Sequence, residues 1–135
     1  MDSVPRPPNG FLSALSADDY EQLRPHLRAI DLTQDLVVVE VGQVLKRAYL
    51  PHRGVISLVV DLARGEHVQV ALIGRDSIFG ALATLGDPAA LNRAVVVVPG
   101  AASTIDLDRL GAVADRSASL RALMLRHGMA VFAQI

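Results

Sequence analysis

The 135-residue chain is 51% hydrophobic and 20% charged, with 13 Lys and Arg against 14 Asp and Glu. That length and composition suit one folded domain with a single core and exclude a disordered chain. The near-balanced charge offers no general nucleic-acid footprint, and the absence of Cys excludes disulfides, thiolate catalysis, iron–sulfur clusters and Cys-ligated zinc.

In chain order, residues 1–10 carry Pro5, Pro7, Pro8 and Gly10 and read as a flexible lead-in, with the folded domain over 11–135. The lead-in is polar and lacks a signal-peptide core. No apolar run approaches the roughly 20 residues of a spanning helix, so a cytoplasmic, membrane-free setting is expected. Ser16-Ala17-Asp18-Asp19 resembles a capping box. Tyr20, Leu23 and Leu27 at helical spacing predict a helix to about Leu27, with Pro25 bending or ending it early.

From Ile30 to Val98 the pattern turns to β-branched runs, namely 36–41, 48–50, 55–62, 67–73 and 94–98. Gly42, Pro51, Gly54, Arg64-Gly65, Gly74 and Gly86-Asp87-Pro88 separate them. This spacing predicts a compact antiparallel sandwich or barrel with a hairpin tip at Arg64-Gly65. After Pro99-Gly100 helical signals return. Asp106 or Asp108 would cap a short helix through Val113, and Ser117 a final helix. That helix carries Leu120, Leu123, Met124, His127, Val131 and Ile135 on neighbouring faces, and it meets no stop before Ile135, as if cut mid-element.

Ile78-Phe79-Gly80-Ala81-Leu82, followed by Leu91-Asn92-Arg93-Ala94-Val95, resembles the phosphate-binding cassette of cyclic-nucleotide-binding domains in the Crp–Fnr family of transcription regulators. Val41-Gly42-Gln43 is similar to that family's Gly-Glu turn. Tyr49 to Leu58 is similar to its Leu-Tyr-x-Ile-x-x-Gly-x-Val strand pair. The order of elements agrees over about Phe11 to Ile135. The resemblance implies a mainly β domain with flanking helices, a double-stranded β-helix or β-roll of about eight strands.

It also implies a ligand site at Phe79, Gly80, Ala81, Leu82, Asn92, Arg93 and Ala94. In the family a Glu in this cassette accepts from the ribose hydroxyl and an Arg grips the phosphate. Here Ala81 stands at the Glu position and Asn92 at the Arg position. Losing one charge-assisted contact of this kind removes about 1.5–3 kcal/mol. Arg93 lies one residue further along, and in a strand it faces the opposite side from Asn92 unless a bulge intervenes. Cyclic AMP or cyclic GMP therefore remains only the minor expectation, and no cofactor is assigned.

The resemblance further implies a homodimer through the last helix at Leu120, Leu123, Met124, His127, Val131 and Ile135. DNA would be read by a helix-turn-helix domain absent from this chain. The same stripe equally suits packing on the domain's own β core. An effector-sensing regulatory domain with an unidentified effector is the leading reading. A ligand-free dimerisation or protein-interaction module is the alternative. No enzyme is expected. His26, His52, His67 and His127 show no His-x-His or His-x-x-x-His spacing, and no Ser sits in a Gly-x-Ser-x-Gly context.

Overall fold

The structure, a computed structural model, describes residues 5–135. Its elements are α1 (Gly10–Ala14), α2 (Ala17–Leu23), a 3-10 turn (Arg24–His26), β1 (Arg28–Leu32), β2 (Val37–Val39), β3 (Arg47–Asp61) and β4 (His67–Ile73). Then follow α3 (Ala81–Leu85), β5 (Arg93–Asp106), α4 (Leu107–Ala114) and α5 (Ala118–Phe132). All strand pairs are antiparallel, in the order β1-β5-β3-β4, with β2 also on β5. The expected β-rich domain with flanking helices is present.

Among the described residues it is built from five strands and not about eight. The difference lies at Gly54 and Pro99-Gly100, which read as strand ends in the sequence. Both long strands instead run through these residues. Their register shifts between Pro51, Arg53 and Val55 on β3, while Arg53 pairs with Ala101 and Val55 with Val98. Gly54 has φ 93°, a left-handed conformation that an L side chain rarely adopts. A bulge bends a ladder without ending it, so the predicted runs 48–50 and 55–62 merge into β3, and the run 94–98 extends into the long β5. The short helix expected after Gly100 forms where Asp106 places it, with Asp106 at the N-cap position of α4. β5 continues to Asp106, and α4 starts only at Leu107.

The hairpin tip forms where the sequence places it. Asp61 pairs with His67, the Leu62 N–H donates to the Glu66 carbonyl (2.8 Å), and Gly65 takes φ 84°. Two of the predicted side-chain caps also form, while Asp106 makes no side-chain cap bond. Ser16 Oγ accepts from the Asp19 N–H and Ser117 Oγ from the Leu120 N–H, both at 3.1 Å. α2 stops at Leu23, and Pro25 falls in the 3-10 turn, short of the predicted Leu27.

The lead-in departs from expectation. Asn9 caps α1, a helix the sequence did not announce, and its amide donates to the Pro51 (3.0 Å) and Ser77 (2.9 Å) carbonyls. The Arg6 guanidinium donates to the Leu12 and Leu15 carbonyls and lies over the Tyr20 ring. The segment is thus tied to the core from Arg6 onward, and residues 1–4 of the expected lead-in lie outside the described residues. At the other end, α5 spans Ala118–Phe132. The Ala133 N–H returns to the Met129 carbonyl and the Ile135 N–H to the Phe132 carbonyl.

The core lies between the sheet and the helices. Phe11, Leu50, Ile56, Ile105, Leu110, Leu120 and Met124 are all essentially inaccessible to water. Residues from the first and last helices meet strand residues here, so α5 is part of the domain's own core.

Candidate ligand-binding site

The 79–94 segment is pinned to the sheet at both ends. Phe79 exchanges two backbone hydrogen bonds with Tyr49 of β3, at 2.8 and 2.9 Å, and their rings lie 6.4 Å apart. Gly80 follows with φ 109°, and a Cβ there would meet Leu45 at 3.1 Å and the Ala48 backbone at 3.2 Å. Only glycine combines that backbone conformation with that close approach. α3 then starts at Ala81, and Thr84 closes its first turn by donating to the Gly80 carbonyl from both N–H and hydroxyl. The loop from Gly86 to Asn92 runs beside residues 42–45. The Gly42 N–H bonds to the Ala90 carbonyl, the Ala90 N–H to Gln43, and the Leu45 N–H to Pro88, at 2.8–2.9 Å.

Between α3, this loop and the end of α5 lies a cavity of about 370 Å³. Phe79, Gly80, Ala81, Leu82 and Asn92 of the predicted site line it, together with Leu45 and Leu58 of the sheet side. Arg93 and Ala94 do not. Ala94 is fully buried in the core beneath, as alternation along β5 requires. Arg93 turns to the far side. Its Nη2 donates to Asp61 at 3.1 Å, and its Nε lies 3.8 Å from a Glu40 carboxylate oxygen. His67 also bonds Asp61, so one carboxylate joins both partners. Asp61 is held below the usual carboxylate range, first by its bond to His67 and then by that to Arg93. The cation nearest in sequence to the cassette is thereby engaged away from the cavity.

The helical stripe divides along α5. Leu120, Leu123 and Met124 are buried in the domain's own core. His127 packs edge-on against Phe11 with ring centroids 5.3 Å apart, and burial followed by the Arg126 charge pushes its pKa down. These four residues pack within the domain. Val131 and Ile135 line the cavity with Gly128 and Phe132.

The sequence reading missed this cavity-covering role of the helix end, and also Asp87 and Leu91 in the loop. Gly128 was its one available signal, since a small residue in a helix marks close packing. A Cβ at Gly128 would fall 2.5 Å from Leu82 Cγ, so α5 lies directly on α3. The last turn is latched to the sheet as well. The Gln134 amide accepts from the Leu72 N–H and donates to the Leu72 carbonyl, both at 3.0 Å, like one more rung on the edge strand β4.

His52 Nε2 lies 2.7 Å from Ser103 Oγ, and burial followed by the Arg53 charge pushes its pKa down. Among the described residues, no group of three or more His, Cys, Asp or Glu gathers to hold a metal. Among the described residues, no helix is long and apolar enough to cross a membrane.

No protein-family model and no curated protein matches the sequence. Solved structures do match. The N-terminal domain of a transcriptional regulator from Streptomyces coelicolor A3(2) superposes with a TM-score of 0.70 at 15% identity, over 93% of this chain and 88% of that one. A candidate cyclic nucleotide-binding protein from Geobacter metallireducens GS-15 gives 0.74 at 14% identity, over 91% and 89%. FixK2 from Bradyrhizobium japonicum gives 0.69 at 12% identity. There the match covers 80% of this chain but only 53% of FixK2, so this chain spans about half of that protein. The antiparallel sheet with flanking helices and these superpositions give the chain the cyclic-nucleotide-binding β-roll fold.

Proposed function

We propose that this chain is the effector-sensing regulatory domain of a Crp–Fnr-like transcription regulator, and that its effector binds without the usual cyclic-nucleotide contacts. The observation that carries this reading is the shared cavity wall. Ala81 and Leu82 of α3 form one side of it, and Val131 and Phe132 of α5 the other. An occupant touches both helices at once. It thereby biases the spacing that Gly128 and Leu82 set, and a shift of α5 is the output passed to an attached DNA reader. DNA contact belongs to a domain outside these 135 residues.

Calorimetry with cyclic AMP and cyclic GMP tests the departure from nucleotide binding. The unmodified domain is expected to give no heat. Because Ala81 and Asn92 line the same cavity, Ala81→Glu/Asn92→Arg places both missing groups in it. Each restored contact is worth about 1.5–3 kcal/mol, roughly a ten- to hundredfold gain in affinity. In that variant cyclic AMP is expected to slow amide exchange over 128–135. Tight cyclic-nucleotide binding by the unmodified domain overturns the departure. Binding with unchanged exchange at 128–135 overturns the coupling to α5.

A second reading, a dimerisation module, is favoured by the outer face of α5. Leu125, Met129 and Phe132 recur at helical spacing and are 51%, 53% and 56% exposed. A homodimer contact would use these residues, in place of the stripe buried in the core. Sedimentation velocity is expected to show a dimer that Met129→Glu dissociates. A monomer at all concentrations removes this reading.

A further inference from the structure

The walls of the α3–α5 cavity specify the chemistry of what fills it. This step rests on the sensing reading above and names the ligand class for the same site. The volume, about 370 Å³, lies within the range of small-molecule pockets. Its lining is almost wholly aliphatic or aromatic, and only two side chains in it carry polar groups, Asp87 and Asn92. Asp87 is the one charged group lining the cavity among the described residues, and its sign is negative. The Asp87 carboxylate accepts from the Ala89 N–H at 2.9 Å, which fixes it in the loop. The neighbouring cation, Arg93, is held on the opposite face by Asp61 and Glu40.

An anion entering this space would lose its hydration, find no cation and face a carboxylate. An uncharged apolar molecule meets none of these penalties. The mouth of the cavity also fits such an occupant. Leu91, 82% exposed, and Phe132 and Ile135, each more than half exposed, belong to its lining. Large apolar side chains left open around a concave site are covered when an apolar ligand enters. Asn92 supplies one amide, able to donate or accept, to orient a single polar group.

We infer that the cavity binds an uncharged, largely apolar small molecule carrying one hydrogen-bonding group, and that it selects against anions. The probe pair N-phenyl-1-naphthylamine and 1-anilinonaphthalene-8-sulfonate tests this, because the two differ by one sulfonate. Titrations would be read by fluorescence and by methyl NMR of the unmodified domain. The neutral probe is expected to bind with shifts at the Ala81, Ala90, Val131 and Ile135 methyls, and the sulfonate at least tenfold more weakly. Asp87→Asn, which keeps an acceptor for the Ala89 N–H, is expected to narrow that gap.

Equal or tighter binding of the sulfonate at the same methyls overturns the charge selection but leaves the sensing reading standing. Shifts confined to Leu125 and Met129 on the outer helix face, or no shifts at all, overturn the proposed ligand class. The sensing reading itself is judged separately, by cyclic AMP and exchange at 128–135 in the Ala81→Glu/Asn92→Arg variant.

Discussion

Gly100→Ala is expected to destabilise the domain by about 3–5 kcal/mol, among the largest effects of any single methyl in this chain. A Cβ at Gly100 would collide with the Arg53 carbonyl and lie 2.8 Å from the Gly54 N–H. These are backbone atoms of the paired strand and cannot rotate away. The facing position is equally closed, since a Cβ at Gly54 would lie 2.6 Å from the Val98 carbonyl oxygen. The two glycines let β3 and β5 kink together where their register shifts. Thermal unfolding is expected to show a fall in midpoint of roughly 10 °C or more. Gly86→Ala is the comparison, because a Cβ there meets nothing closer than 3.5 Å. A midpoint for Gly100→Ala within a degree or two of the parent would show that the strands part at this point and tolerate the methyl.

Asp19→Ala is expected to cost about 2–4 kcal/mol, through loss of charge-assisted hydrogen bonds in a buried site. Asp19 is almost fully buried. Its carboxylate accepts from Ser117 Oγ at 2.6 Å and Ser119 Oγ at 2.7 Å, which joins the first turn of α2 to the start of α5. Burial alone would raise its pKa. The bonds from Ser117, Ser119 and Ser16 outweigh that, and the net shift is downward.

A carboxyl depressed in the folded state contributes stability that is fully present above its unfolded value, near 3.9, and is lost as pH falls through the folded value. Denaturant unfolding from pH 7 to 2 is therefore expected to lose stability below about pH 4, with a shallower slope in Asp19→Asn. Asp61 is depressed too and titrates in the same window, so the difference between parent and variant isolates Asp19. His52 and His127, both pushed down by burial, add an earlier loss as pH falls below about 6.5, and both proteins share it. Parallel acid slopes in parent and Asp19→Asn would rule out this role for the buried carboxylate.

Local chemistry made several elements legible before folding. Ser16 and Ser117 announce helix starts because a hydroxyl that accepts from the third residue needs only nearest neighbours. Arg64-Gly65 announces a hairpin because positive φ is a property of one residue. The cassette was legible as far as its frame. Gly80 needs its left-handed backbone, and alternation sends Asn92 and Arg93 to opposite sides, as they lie in the structure.

What the sequence by itself determined, then, is the β-rich domain, the caps at Ser16 and Ser117, and the hairpin. Three features were decided only by tertiary structure. Gly54 and Pro99-Gly100 carry the local signature of strand ends. They became kinks because β3 and β5 bend opposite one another, a fact about two segments over 40 residues apart. Asn9 caps an unannounced helix because Pro51 and Ser77 offer their carbonyls to it from distant parts of the chain. The α5 stripe has one periodicity but two destinations, core at Leu120 and cavity at Val131. A helical pattern records that a face is apolar. What that face covers is set by its neighbours in space, and the pattern holds no record of them.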